Sequence, residues 1–411
     1  MKTPIHDRLG GEPQAALGEI EKVFDKKGLP SPIRLGLVGT PGVSLAASVG
    51  LTIGDRDETA LPLTSWGTGT RRLAALEIAA LGVSHGAIAV VDEPETGLEP
   101  YRQRVFIADI QGQAGRQAFV TTHAPAIIAA GLSTGAVLWR INRLPFASKS
   151  VQKTVLRGDT PPQQQAASIE GVPPKPSHCL CQLSSSEIVS MGKTQAEALV
   201  ARMPVVCEGV TELGFATKLL LNRFGEAFSS RGIFCVDAGG HDRSLAIVNA
   251  FIRADFQVGA VVDDEGRKPG SWAAIAKKAV LLRWDNGASL EKAVFSSLSD
   301  EDLVKIPVWA EEATGREAKH FCAEIRRALG EQERSKPIET MFMEAGRVNF
   351  LAKVCEIACP TAKEGKKARG WFKAFDGGYL LAEKLLGIVP RPKLFEKIDV
   401  FLQGVEDATL T

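Results

Sequence analysis

The chain lacks any apolar run of membrane-spanning length, and its opening residues, MKTPIHDRLGGEP, carry no apolar signal core. A cytoplasmic protein with no membrane partner is the expectation. Charge of one sign is also missing: 49 Lys and Arg against 48 Asp and Glu leave a formal charge of +1. Any affinity for nucleic acid must therefore come from a local basic surface. The seven cysteines stand singly apart from His178, Cys179 and Cys181 in SHCLCQ, which lacks a second ligand pair. That spacing excludes a zinc finger and argues against a disulfide framework. Tyrosine is scarce, and neither Tyr101 nor Tyr379 lies in an obvious nucleophile setting. No repeat and no coiled coil is present. No segment reads GxxxxGK followed by Ser or Thr, the loop that cradles the β- and γ-phosphates of a nucleotide. The nearest glycine-rich stretch, GLVGTPGVSLAASVG, has no lysine and reads as strands or a turn.

What is present is 411 residues with 45% hydrophobic and 24% charged composition, enough for two globular domains. Apolar runs alternate with helical periodicity from about Pro32 to Ile141, as in an α/β domain. GAIAVVDEPE and GRQAFVTTHAP read as strands, TRRLAALEIAALGV and TGLEPYRQRVFIADIQGQAG as helices. Residues 157–203 open on a stretch rich in Pro, Gln and Ser, read as a linker, followed by a helix from Glu187. A second α/β block over 204–300 has strands MPVVCEG, GIFCVDAGG and FQVGAVVDDEG between helices, and 301–411 is helical.

Two constellations carry chemistry. In the first, residues 1–156, AIAVVDEPETGLEP places Asp92 at a strand tip, where it can orient the water shell of magnesium, and Glu93 next to it as a base for an attacking water. VTTHAP puts His123 at the next strand tip, placed to sense a γ-phosphate. TSWGTGTRR opens a helix with Ser65, Gly67 and Gly69, exposing backbone amides that bind phosphate. Signature loop, Walker B strand, D-loop and switch histidine in this order resemble an ABC-type ATPase, of which residues 1–156 would be the C-terminal portion without its Walker A. The resemblance implies ATP as cofactor, an incomplete site in this chain, and sites formed between two ATPase halves in a homodimer. It also implies that autonomous ATP hydrolysis fails unless a separate polypeptide carries the missing Walker A lobe, or that the domain is a truncated relic.

In the second, VVCEGVTE and GAVVDDEG are apolar runs ending abruptly in carboxylates. Strands finishing side by side would gather Glu208, Glu212, Asp263 and Glu265, which repel one another unless a divalent cation sits among them. These motifs resemble the TOPRIM domain, with Glu208 as its first glutamate and Asp263 with Glu265 in its D-x-D place, unless Asp264 serves. ATPase followed by TOPRIM resembles the OLD (overcoming lysogenisation defect) family of ATPase-nucleases. The expected fold is therefore α/β: a partial ABC-type ATPase domain, then a Rossmann-like TOPRIM domain with a mostly parallel sheet and a helical C-terminal region. The resemblance adds Glu291 in GASLEKAVF as a further metal ligand, Lys373 in WFKAFDGG as a basic residue at the scissile phosphate, and a glycine turn at Gly239 and Gly240. It implies a Mg2+- or Mn2+-dependent endonuclease acting on DNA through two metals about 4 Å apart, with roles in phage defence or DNA repair. Glu208, Glu212 and Glu291 would hold one metal, with Asp263 and Glu265 on the other or bridging the two. Lys363, Lys366, Lys367, Arg369 and Lys373, interleaved with Trp371 and Phe372, could follow a DNA backbone. His241 reads as a turn residue. The alternative is a catalytically weak DNA-binding or regulatory subunit.

Overall fold

The computed structural model describes residues 10–37, 49–53, 61–81, 88–111, 117–143, 178–264, 266–333, 335–359 and 370–410. Glu265 and the lysines and arginine at 363, 366, 367 and 369 lie outside the described residues. The chain divides into two compact units, Met1–Ala136 and Val137–Thr411. The division falls ahead of the expected boundary at residue 156. The reason is a strand pairing that sequence periodicity could not reveal: β6 (Trp139–Arg143) pairs antiparallel with β7 (His178–Gln182), which places both in the second unit.

The first unit begins with helix α1 (Gly11–Lys27) and an antiparallel sheet of β1 (Ile33–Leu37), β2 (Val49–Ile53) and β3 (Leu61–Pro62). Helix α2 (Thr68–Leu81) leads to β4 (Ile88–Asp92), and α3 (Pro100–Gln111) to β5 (Gln117–Thr121), followed by α4 (Pro125–Ser133). β4 and β5 pair in parallel with Asp92 opposite Thr121. Phe24, Trp66, Leu73, Val91, Leu98, Phe106 and Ile127 form the core. The other face of the β4–β5 pair is open, with Ile88 60% and Val90 75% exposed.

The second unit is built on a parallel sheet of β8 (Met203–Cys207), β9 (Ile233–Asp237), β10 (Gly259–Val262) and β11 (Val280–Arg283), in the order β11-β10-β8-β9. Two short helices, α5 (Ser186–Gly192) and α6 (Glu197–Val200), stand where one was expected. Helices α7 (Val210–Phe224), α8 (His241–Arg253) and α9 (Pro269–Ile275) connect the strands. Such right-twisted β-α-β connections keep all strand ends of one kind on one edge of the sheet. β8 and β10 are buried on both faces, as expected of near-continuous apolar strands between helices. The helical remainder comprises α10 (Leu290–Ser297), α11 (Asp300–Leu303), α12 (Ile306–Thr314), α13 (Ala318–Leu329), α14 (Ile338–Ala358), α15 (Phe375–Leu386) and α16 (Phe395–Leu410). Val205, Phe215, Val261, Trp284, Phe295, Phe350, Phe372 and Phe401 belong to one continuous core. Helices α7 and α15 touch backbone to backbone: a Cβ on Gly214 would lie 2.0 Å from Phe375 O, and one on Gly378 1.8 Å from Thr211 O. Only glycine allows this approach, and it brings the first turn of α7 beside the segment that carries Lys373. No helix among the described residues is long and apolar enough to cross a membrane.

Candidate functional sites: an exposed acid tip and a buried one

In the first unit the predicted Asp92, Glu93 and His123 come together at the tips of β4 and β5. The Thr121 hydroxyl donates to Asp92 Oδ1, and the Glu93 amide donates to Thr121 O at 3.0 Å. Glu93 Oε1 lies 3.9 Å from His123 Nε2, with both side chains more than half exposed. Glu93 has φ 41°, a left-handed conformation that is uncommon outside glycine and costs about 1 kcal/mol or more. Arg72 on α2 donates to the carbonyl of Asp92.

The predicted phosphate loop separates into three roles. Ser65 ends a 3-10 turn and donates to Pro62 O at 2.7 Å. Gly67 stands in open space before the start of α2. Gly69 is buried, because the carbonyl of Gly97 would lie 1.7 Å from a Cβ there. A contact between the α2 loop and the loop after β4 thus depends on the bare backbone of Gly69. Sequence reasoning missed Glu95, which accepts from the Thr122 hydroxyl at 2.9 Å and from the His123 amide at 2.8 Å. A third acid in DEPE was the available signal.

In the second unit the ends of β8 and β10 are neighbours. The Glu208 amide donates to Val261 O at 3.0 Å, and Glu208 Oε2 accepts from the Asp263 amide at 3.1 Å. Asp263 Oδ1 accepts from Leu290 N at 2.8 Å, so it holds the first turn of α10, where Glu291 sits. Glu212, in the first turn of α7, Asp263 and Glu291 are all buried, Glu291 completely. Lys373 closes the group with Nζ 2.7 Å from Glu291 Oε1. Glu291 Oε2 is buried with no hydrogen-bond partner.

The electrostatics follow from this burial. Loss of water, reinforced by Glu212, Glu208 and Glu291, pushes the Asp263 carboxyl up to about 9, with Lys373 opposing. Burial likewise raises Glu212 to about 7, against the pull of Lys373 and helped by Glu291 and Glu208. Burial alone would lower the Lys373 ammonium, but Glu291, Glu212 and Asp263 outweigh it and hold the group well above the ordinary lysine value. Burial thus favours the neutral forms of Asp263 and Glu212, while the neighbouring acids favour the charged form of Lys373.

Several expectations change here. Among the described residues no group of three or more His, Cys, Asp or Glu forms a ready metal cage. Lys373 is paired with Glu291, and Glu208 is turned onto the Asp263 amide and His241 Nδ1, 3.2 Å away. Asp264 pairs with Arg283 and accepts from Gly287 N at 2.7 Å, which fits a structural role rather than the ligand place left open for it. His241 is not a turn residue: it is the first residue of α8, and its ring is buried. Trp371 and Phe372 do not interleave a basic surface either. They pack in the core against Phe321 and Phe295, so neither can stack on a nucleotide base.

No curated protein matches this chain. Residues 11–129 match a family model described as "AAA domain, putative AbiEii toxin, Type IV TA system", so that this part of the chain is an AAA-type ATPase domain, a class that binds ATP.

Proposed function

We propose that the second unit is a metal-dependent DNA endonuclease of TOPRIM type, and that the AAA-type unit binds ATP and regulates it, in the arrangement of the OLD family. The observation that carries this reading is the joint burial of Glu212, Asp263 and Glu291 around Lys373 at adjacent parallel strand ends. Buried carboxylates are costly unless they are paired or bind metal. The donors are all oxygens, which suits Mg2+ or Mn2+, and Glu291 Oε2 has lone pairs unused within the protein. Glu208, Glu212 and Glu291 would hold one ion, and Asp263 with Glu265 a second. Bound ions would supply Lewis-acid stabilisation of the attacking and leaving oxygens of a phosphodiester. The chain's own groups do the rest. Asp263 and Glu212, whose carboxyls burial raises, would lose their protons to bind a cation. Lys373, about two-fifths exposed, turns its ammonium from Glu291 to a non-bridging phosphate oxygen.

In the AAA-type unit Asp92 would orient the water shell of a bound Mg2+, Glu93 would polarise the attacking water and His123 would face the γ-phosphate. The phosphate cradle comes from a separate polypeptide, and the working unit is a homodimer. The matched family's description names a toxin of a toxin–antitoxin system, which fits damage to DNA during phage defence; DNA repair uses the same chemistry. Supercoiled plasmid incubated with Mn2+ tests this reading. Nicking that vanishes in Glu208→Ala and Asp263→Ala supports it, and binding without nicking overturns it. The second outcome would favour a regulatory DNA-binding subunit, a reading supported by the Lys373–Glu291 pair already filling the cluster.

A further inference from the structure

The buried ring of His241 is engaged at both nitrogens. Nδ1 lies 3.2 Å from Glu208 Oε2, and Trp272 Nε1 lies 3.3 Å from Nε2. An indole nitrogen can only donate, so Nε2 must accept and the proton of the neutral ring must sit on Nδ1, aimed at Glu208. Trp272 is fully buried on α9, and its ring meets the imidazole edge to face with centroids 5.8 Å apart. The same turn grips the Glu208 backbone, because Gly240 N donates to Glu208 O at 2.7 Å. An ion pair of 2.7 Å between Lys268 and Asp242 fastens the start of α9 to the first turn of α8. Glu208 Oε2 thus receives two bonds, from His241 and from the Asp263 amide, and Oε1 takes part in neither.

We propose that His241, locked as its Nδ1–H tautomer by Trp272, is a positioning residue that fixes the Glu208 carboxylate with Oε1 presented to a divalent cation. The inference rests on the nuclease reading of the same cluster, since the cation is the one assigned there. His241 itself is no metal ligand, having no free nitrogen. Partners of this kind, one bond behind a ligand, typically change metal affinity by about 10- to 100-fold when removed.

Two measurements test it. Nitrogen-resolved NMR of the imidazole in the metal-free full chain reads the tautomer directly. The expected result is a protonated Nδ1 and a bare Nε2, with the Nδ1 proton in slow exchange in the wild type and in fast exchange in Glu208→Ala. A protonated Nε2, or an Nδ1 proton unaffected by Glu208→Ala, overturns the relay. The second measurement is Mn2+ uptake, followed by loss of the free-ion paramagnetic resonance signal. His241→Phe should weaken uptake about tenfold. His241→Asn, whose amide can reach Glu208 as Nδ1 does, should restore it to within about threefold. Equal affinity in His241→Phe and wild type overturns the positioning role, as does an Asn variant no better than Phe. Should His241→Phe fail to fold, the wild-type tautomer and the Asn variant still decide. Absence of Mn2+ uptake in every form, wild type included, overturns the nuclease reading, and the tautomer and its response to Glu208→Ala then decide the relay alone.

Discussion

The strands AIAVVDE and GAVVDDE are nearly the same local message, and the two units turn them into opposite environments. Among the described residues β4 has one partner strand, and Ile88 and Val90 are exposed, as are its terminal Asp92 and Glu93. β10 lies between β8 and β11, buried along its whole length, and its terminal Asp263 is buried beside Glu212 and Glu291. The acids at β4 keep their contact with water. Asp263 and Glu212 are cut off from water and pushed toward their neutral forms, because each uncompensated charge there is expensive. Environment, supplied by elements far along the chain, decides what an acid-tipped strand can do.

The sharpest way to break this comparison is to remove one acid from each tip. Asp263→Ala should lower plasmid nicking in Mn2+ by at least about 100-fold, while Asp92→Asn, assayed without nucleotide, should leave it within about twofold. Equal losses would mean that the two tips form one site. Next comes the charge balance of the buried cluster. Lys373→Met leaves Glu291 without the cation it pairs with, and metal-free stability of the second unit should fall by about 2–4 kcal/mol in urea unfolding. Adding Glu291→Gln should recover most of that loss. An unchanged Lys373→Met protein would show that the pair contributes nothing to the fold.

The pH dependence follows with a definite sign. Asp263, at about 9, and Glu212, at about 7, bind protons more tightly folded than unfolded, where ordinary values are 3.8 and 4.5. Their stabilising effect is complete below those ordinary values and is lost as pH rises through the folded ones. The second unit of the metal-free protein should therefore become less stable from about pH 5 to about pH 9, by a few kcal/mol. Mn2+ should reverse the trend at the alkaline end. Asp263→Asn keeps an oxygen for the Leu290 amide and should flatten the profile. A melting temperature that stays level across this range in wild type would contradict the burial argument.

Much of this was readable from sequence, for a local reason: an apolar run that stops at an acid fixes a strand and its tip together. Asp92, Glu93, His123, Glu208, Glu212, Asp263 and Glu265 were singled out on that basis, and all but Glu265 lie among the described residues; Glu93 meets His123 at one tip and Glu208 meets Asp263 at the other. What stayed hidden depended on partners from elsewhere. VLLR, which forms β11, is too short for its periodicity to separate strand from buried helix. AGGHDRS resembles any glycine turn until Trp272 and Glu208 are seen on either side of the His241 ring. Trp371 and Phe372 among basic residues have the composition of a nucleic-acid strip, because an aromatic that packs and one that stacks are the same residue type. The Gly69 contact with Gly97 was hidden in the same way, under a reading of small residues as phosphate binders.

The smallest expected effect distinguishes the two tips by backbone alone. Among the described residues positive φ outside glycine occurs at Glu93, Asp255, Lys268 and Asn286, so the β4 tip is strained and Asp263 is not. Comparing alanine with glycine at each tip isolates that strain, since neither side chain makes a polar contact. At position 93 glycine relieves a left-handed Cβ penalty of about 1–2 kcal/mol and forfeits about 0.5–1 kcal/mol of unfolded-chain entropy. Glu93→Gly should therefore be more stable than Glu93→Ala by a few tenths of a kcal/mol to about 1 kcal/mol. At position 263 only the entropy remains, and glycine should be the weaker of the two. Hydrogen exchange at the Glu93-position amide, bonded to Thr121 O, and at the Glu208 amide, bonded to Val261 O, would report each unit separately. The same sign at both positions would show that the left-handed turn at Glu93 costs the fold nothing. Opposite signs would mean that strain is held at the exposed tip, while the buried tip is held by its neighbours.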